Sequence, residues 1–206
     1  MAGMGGTPVI ILRDTRRESG NEAISNNIMA ARAVANAVRS SMGPKGMDKL
    51  LVDSIGDVTI TNDGVTILKE MDVQHPAAKM LIEAAKTQDK EVGDGTTTVA
   101  VLAGELLRKA EVLLDQKVHP TMIVQGYRMA ADEAVKIAKS IAFEAQESDR
   151  ALLERIARTA MTGKLADSPD SKMAGYAVDL VLNATEDYGD KRVFDMDRVN
   201  VEKKVG

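Results

Sequence analysis

Residues Glu91 to Gly104 read EVGDGTTTVAVLAG: two glycines bracket one aspartate, three threonines follow, and small apolar residues then run on. A glycine-rich turn feeding a helix start presents free backbone N–H groups and the positive end of the helix dipole, a combination that favours a phosphate. Thr96, Thr97 and Thr98 bring hydroxyls to the same place. Asp94 conflicts with a bare anion site, because a carboxylate repels the phosphate that the N–H groups attract. A divalent cation removes the conflict, since Mg²⁺ binds through one or two carboxylates plus phosphate oxygens. Asp94 is therefore read as a Mg²⁺ ligand. A plainer reading stands beside this one: Gly93 and Gly95 permit a tight turn and Thr96 caps the helix. The loop is not a Walker A sequence, because no lysine follows the glycines at the G-x-x-x-x-G-K spacing.

Working outward, the periodicity predicts a mainly helical chain. Ile24, Ile28, Ala31, Val34, Ala35 and Val38 recur at helical spacing from Asn21, and Gly43-Pro44 supplies a stop. KLLVD and VTITND flank Ser54–Asp57 as a β-hairpin. Three long helices follow, Pro76 to about Lys90, Thr96 to about Leu114 and Pro120 to about Ala142. Ala77, Met80, Leu81, Ala84 and Ala85 form the apolar stripe of the first; Ile123, Tyr127, Ala130, Ala134, Ile137 and Ile141 form that of the third. The middle helix is apolar nearly all round at its start, which predicts a central position in a bundle. Two shorter helices, near 152–161 and 172–183, precede an extended tail, RVFDMDRVNVEKKVG. At the front, residues 1–8 read as a Gly-rich arm and VIILRD (Val9–Asp14) as a short strand open to a neighbour.

Composition removes several classes of function. At 206 residues the chain can bury roughly 70% of its unfolded surface. A net charge of −4, with 2% aromatic residues and no tryptophan, argues against nucleic acid as a partner. The absence of cysteine removes disulfides and thiolate chemistry. His75 and His119 each precede a proline at a helix start and lack companions at ligand spacing, so they read as structural. With no signal peptide and no apolar run long enough for a membrane span, the expectation is a soluble, cytoplasmic chain.

Three further stretches suit a nucleotide. SSMGPKG (Ser40–Gly46) is a second glycine-containing helix end, able to lie against a base, ribose or phosphate. TNDGVT (Thr61–Thr66) sets Asp63 at a turn where a carboxylate can orient a water toward a terminal phosphate. MTGKLAD places Lys164 in a loop, as a γ-phosphate contact requires. Each also has an ordinary structural reading: a C-cap, an Asp-Gly turn and a solvated lysine.

In this order, SSMGPKGMDKLLVD, TNDGVTILKEM, HPAAKML and VGDGTTTVAVLAGELL resemble the ATPase half of a group II chaperonin, and the archaeal thermosome branch most of all. The likeness runs from VIILRDTRRESGNEAISNNI to VEKKVG. It implies a helical equatorial domain over residues 1–147, in its N-terminal half only, and the start of an α/β intermediate domain over 148–206. It implies an ATP site with Asp94 on Mg²⁺, Gly95, Thr96, Thr97 and Thr98 on the phosphates, and Met42, Gly43 and Pro44 against the nucleotide. Asp63 becomes the catalytic water-positioning group and Lys164 the γ-phosphate sensor. It further implies a double ring of like or unlike chaperonin subunits, built through N-terminal strands and the hairpin, acting on unfolded proteins. Family members are more than twice as long, and a catalytic aspartate of the family lies in the part not represented here. The expectation is thus an N-terminal fragment with impaired ATP hydrolysis. The alternative is a nucleotide-binding or ring-interaction module without turnover. A stand-alone phosphotransferase is disfavoured, because no acceptor pocket, catalytic histidine or Walker lysine is visible.

Overall fold

The structure, a computed structural model, describes residues 18–164, 172–189, 191–200 and 202. The arm, the Val9–Asp14 strand and the last residues of the extended tail lie outside that set. In chain order the elements are α1 (Gly20–Arg39), β1 (Lys49–Val52), β2 (Val58–Thr61), α2 (Gly64–Glu70), α3 (Pro76–Val92), α4 (Thr96–Asp115) and α5 (Pro120–Ile141). There follow α6 (Arg150–Met161), α7 (Met173–Asn183), β3 (Thr185–Tyr188), β4 (Lys191–Phe194) and a 3₁₀ turn, Met196–Arg198. The mainly helical architecture with its small hairpin is the one expected from the sequence.

The core lies among α1, α2, α3 and α4 and is aliphatic throughout. Val34, Ala35 and Val38 of α1 meet Ile67 and Leu68 of α2, Leu81, Ile82 and Ala85 of α3, and Ala100 of α4. Small residues allow the helix axes to approach. A Cβ added at Gly104 of α4 would lie 2.4 Å from the Ala35 Cβ, so α1 and α4 touch almost backbone to backbone. The expected α1 stripe is buried from Ile28 to Val38.

Helix starts are defined by local chemistry. Pro76 and Pro120 occupy the first turns of α3 and α5, where a missing N–H costs nothing. The preceding histidines cap those helices: Nδ1 of His75 accepts from the Ala77 N–H at 3.2 Å, and Nδ1 of His119 from the Thr121 N–H at 3.3 Å. The hairpin pairs Leu50 with Ile60 and Val52 with Val58, and Asp53 closes its loop by accepting from the Ile55 and Asp57 N–H groups.

Several expectations need correction. The segment after Asp63 is not merely a turn: α2 starts there, too short for periodicity to show and anchored by the Asp63 cap. The α3 stripe is rotated: Ala78, Leu81, Ile82 and Ala85 are buried, whereas Met80 is 75% exposed and Ala84 is exposed. Spacing alone allows either face, and contact with α1 and α4 selects one. Of the α5 stripe only Ile123 is buried. Ile137 and Ile141 face outward, because α5 meets the core only near its start. α4 is central, yet it buries Thr96, Ala100, Gly104 and Ala110 and leaves Leu102 and Val112 exposed. The tail is extended only in part: β4 pairs antiparallel with β3, a strand not foreseen, and the 3₁₀ turn follows.

α6 and α7 pack on each other, joined by Arg150, which donates to Asp179 Oδ2 at 3.1 Å and to Glu154 Oε1 at 2.8 Å. The Arg150 guanidinium holds the Asp179 carboxyl below its usual range.

Candidate functional site

A cavity of about 140 Å³ opens where four chain segments converge: the end of α1, the β2–α2 junction, the α3–α4 loop and the end of α6. Those segments are the ones in which the sequence suggested nucleotide chemistry. Met42, Gly43, Asp63, Asp94, Gly95, Thr96, Thr97, Thr98 and Lys164 all line it. Pro44 does not. Its Cα lies 3.5 Å from where a Gly163 Cβ would project, beside the lining residue Gly43.

The floor is the α3–α4 loop. α3 ends on Gly93 with φ 74°, and its N–H donates to the Asp89 carbonyl at 2.8 Å. Gly95, with φ 78°, is the N-cap of α4. Two left-handed residues around one aspartate reverse the chain within three positions, which glycine does without Cβ strain. The first helical bond of α4 runs from the Val99 N–H to the Gly95 carbonyl at 2.9 Å. The Thr96, Thr97 and Thr98 N–H groups consequently have no acceptor among the described residues. Gln88 fixes the loop by donating to the Asp94 carbonyl at 3.0 Å.

Asp94 is exposed, and its Oδ1 accepts from the adjacent Gly95 N–H at 2.8 Å. Oδ2 has no partner among the described residues. No group of three or more His, Cys, Asp or Glu side chains suited to a metal exists among them either. The donor set suits a cation that draws its remaining ligands from phosphate and water, as Mg²⁺ does.

Asp63 caps α2. Its Oδ2 accepts from the Thr66 N–H at 3.0 Å and the Thr66 hydroxyl at 2.8 Å. Oδ1 has no partner among the described residues, so the structural and the chemical readings of this aspartate use different oxygens. Gly64 then brings α2 against α4: a Cβ there would lie 2.2 Å from Thr97 Oγ1 and 2.9 Å from the Thr97 nitrogen. Lys164 is exposed, and its ammonium has no acceptor among the described residues. The lining thus carries two carboxylates and one ammonium, net −1 before any ligand enters.

Ser41, Asn62, Gly64, Thr162 and Gly163 also line the cavity, and the sequence reading assigned them no part. All five lie inside or beside the stretches that drew attention, so adjacency was the available signal. Thr159 and Ala160, near the end of α6, carried none. They arrive by helical spacing from Gly163.

No described helix is long and apolar enough to cross a membrane. The chain is 58% identical to thermosome subunit alpha of Archaeoglobus fulgidus and 55% identical to thermosome subunit beta of a Thermococcus species (strain KS-8), each over its full length. It is 53% identical to a thermosome subunit of Methanocaldococcus jannaschii over 98% of its length. It spans 37–38% of the length of these relatives. A sequence model of the TCP-1/cpn60 chaperonin family matches residues 34–206, and the chain belongs to that family.

Proposed function

We propose that the cavity is a Mg²⁺–ATP site and that the chain is part of an ATP-dependent chaperonin subunit, which assembles with other subunits into a cytoplasmic double ring and folds non-native proteins. In this proposal residues 1–147 form half of the nucleotide-binding equatorial domain and residues 148–206 begin the intermediate domain. One observation carries the reading: three consecutive N–H groups, of Thr96, Thr97 and Thr98, lack acceptors at a helix start reached through two left-handed glycines. Unmet donors at that end of a helix attract phosphate oxygens.

About 140 Å³ is below the roughly 300–1,000 Å³ of a pocket that swallows a whole ligand. It suits a phosphate tail, with base and ribose reaching out past Met42, Gly43 and Pro44. Mg²⁺, when bound, neutralises phosphate charge. Asp94 holds it through Oδ2, the Thr96–Thr98 N–H groups and hydroxyls hold phosphate oxygens, Lys164 meets the terminal phosphate, and Asp63 orients a water through Oδ1. A second reading, nucleotide holding without turnover, is favoured by the shortage of carboxylates. Once Asp94 is given to the metal, the remaining carboxylate in the lining has one oxygen committed to the α2 cap.

Isothermal titration of ATP with and without Mg²⁺ tests the site. Wild-type binding is expected to require Mg²⁺, and Asp94→Ala is expected to abolish it. Equal affinity in the two proteins would remove Asp94 from the site.

A further inference from the structure

We propose that Asn62 is a positioning residue for Lys164, so that the amide at position 62 controls how the cavity distinguishes a triphosphate from a diphosphate. The inference rests on the nucleotide reading given above.

Asn62 Nδ2 donates to the Gly163 carbonyl, bridging 101 positions of sequence. The helix faces of α6 and α7 do not pack broadly on α1 to α5 among the described residues. Residues 162–164, directly after α6, therefore take their place at the cavity from local contacts. Two such contacts fall on Gly163. Its carbonyl takes the Asn62 amide, and its backbone, with φ 78°, lies so near the α1 end that a Cβ would sit 2.9 Å from the Gly43 oxygen. The next residue is Lys164, whose N–H donates to the Met161 carbonyl at 3.0 Å and whose side chain is exposed.

A long flexible ammonium side chain gives little selectivity unless its stem is fixed, because ordering it costs rotamer entropy on every binding event. Clamping the peptide that precedes Lys164 fixes the Cα from which the stem starts, so that fewer side-chain conformers need be sampled to reach the cavity. The chemistry at position 62 is also specific. A carbonyl must be met by a donor, and a carboxylate there would place a further negative charge in a cavity that already carries net −1. An asparagine amide supplies the donor without charge. Asn62 is adjacent to Asp63, so a single β2–α2 junction places the water-orienting carboxylate and the clamp on the lysine loop.

The test measures Mg²⁺–ATP and Mg²⁺–ADP affinities for wild type, Asn62→Ala, Lys164→Ala and the double variant, with amide hydrogen exchange on each protein. Losing a hydrogen bond to a charged group lowers affinity about tenfold or more. Asn62→Ala and Lys164→Ala are each expected to weaken ATP by that factor and leave ADP within about twofold. The double variant is expected to lose no more than either single one, since both act through one contact. Exchange at residues 159–164 is expected to quicken in Asn62→Ala and that at 95–99 to stay unchanged. If Lys164→Ala removes the ATP preference and Asn62→Ala keeps it, or if the two losses add, the positioning role is overturned and the site reading stands. If Lys164→Ala leaves the preference intact, Lys164 is not the terminal-phosphate contact and this inference falls while the site reading stands; if wild type binds neither nucleotide, the site reading falls and takes this inference with it. Asn62→Ser, whose side chain is too short to span the bond, repeats the comparison if Asn62→Ala does not fold.

Discussion

Gly104 of α4 lies against Ala35 of α1 so closely that a side-chain carbon at position 104 would come within 2.4 Å of the Ala35 Cβ. Ala35 is 1% exposed and cannot retreat without moving the helix. Gly104→Ala gains up to about 1 kcal/mol of helix propensity and loses about 1–3 kcal/mol to overpacking, so a lower urea midpoint is expected. Gly126 of α5 has nothing within 4 Å of its added Cβ, and Gly126→Ala is the control, expected to raise the helical stability of α5. Equal responses at the two positions would show that α1 and α4 separate freely.

Glu105 sits between Arg108 and Arg39, and its carboxyl is held down to about 2, first by the Arg108 hydrogen bond and then by that of Arg39. Because the folded value lies below the unfolded one, this group's contribution is present above about 4.5 and is lost as pH falls toward 2. Glu105→Gln is therefore expected to flatten the acid limb of stability between those values. Urea midpoints at pH 7 and pH 3 for both proteins measure it, and parallel acid limbs would contradict the assignment.

Asp63 serves α2 through one oxygen, and the two candidate roles separate by substitution. Asp63→Ala removes the cap and is expected to cost about 1 kcal/mol, whereas Asp63→Asn keeps a capping oxygen and is expected to cost a few tenths. In a longer protein that turns over ATP, both are expected to slow phosphate release. A slow Asp63→Ala beside a normal Asp63→Asn would reduce Asp63 to a cap.

Gly95 holds its left-handed backbone at the entrance of α4. Gly95→Ala brings a Cβ within 3.4 Å of Gln88 Nε2 and adds left-handed strain of about 1–2 kcal/mol. A lower melting temperature with weaker ATP binding is expected. Weaker binding at an unchanged melting temperature would mean that the loop relaxes away from its present shape.

The helices with strong periodicity and proline or glycine boundaries were legible in the sequence: α1, α3, α4 and α5 differ from their expected ends by only a few residues. The candidate site residues were legible because glycine, aspartate and threonine carry backbone and ligand chemistry in their identities, and the fold gathers nine of the ten into one cavity. Most of what stayed hidden depends on distant partners. The rotation of α3 and the outward face of α5 are set by which surface a neighbour covers, and spacing along one element is blind to that. Asn62 was hidden for the same reason, since its partner is Gly163. The β3–β4 pairing is local and was missed because TEDY (Thr185–Tyr188) carries no apolar alternation.

The consequence of α5 is one of cooperativity. This 22-residue helix touches the core through Ile123 and through the Tyr127 hydroxyl, which donates to the Leu106 carbonyl at 2.6 Å, while residues 128–141 are all exposed. On its own, a helix the length of the exposed stretch 128–141 is marginal in water. The far turns of α5 therefore fray at free energies well below those that open the α1–α4 core. Heat absorbed on warming these 206 residues is therefore expected to spread over more than one step, with a single-transition fit returning an enthalpy smaller than the calorimetric one.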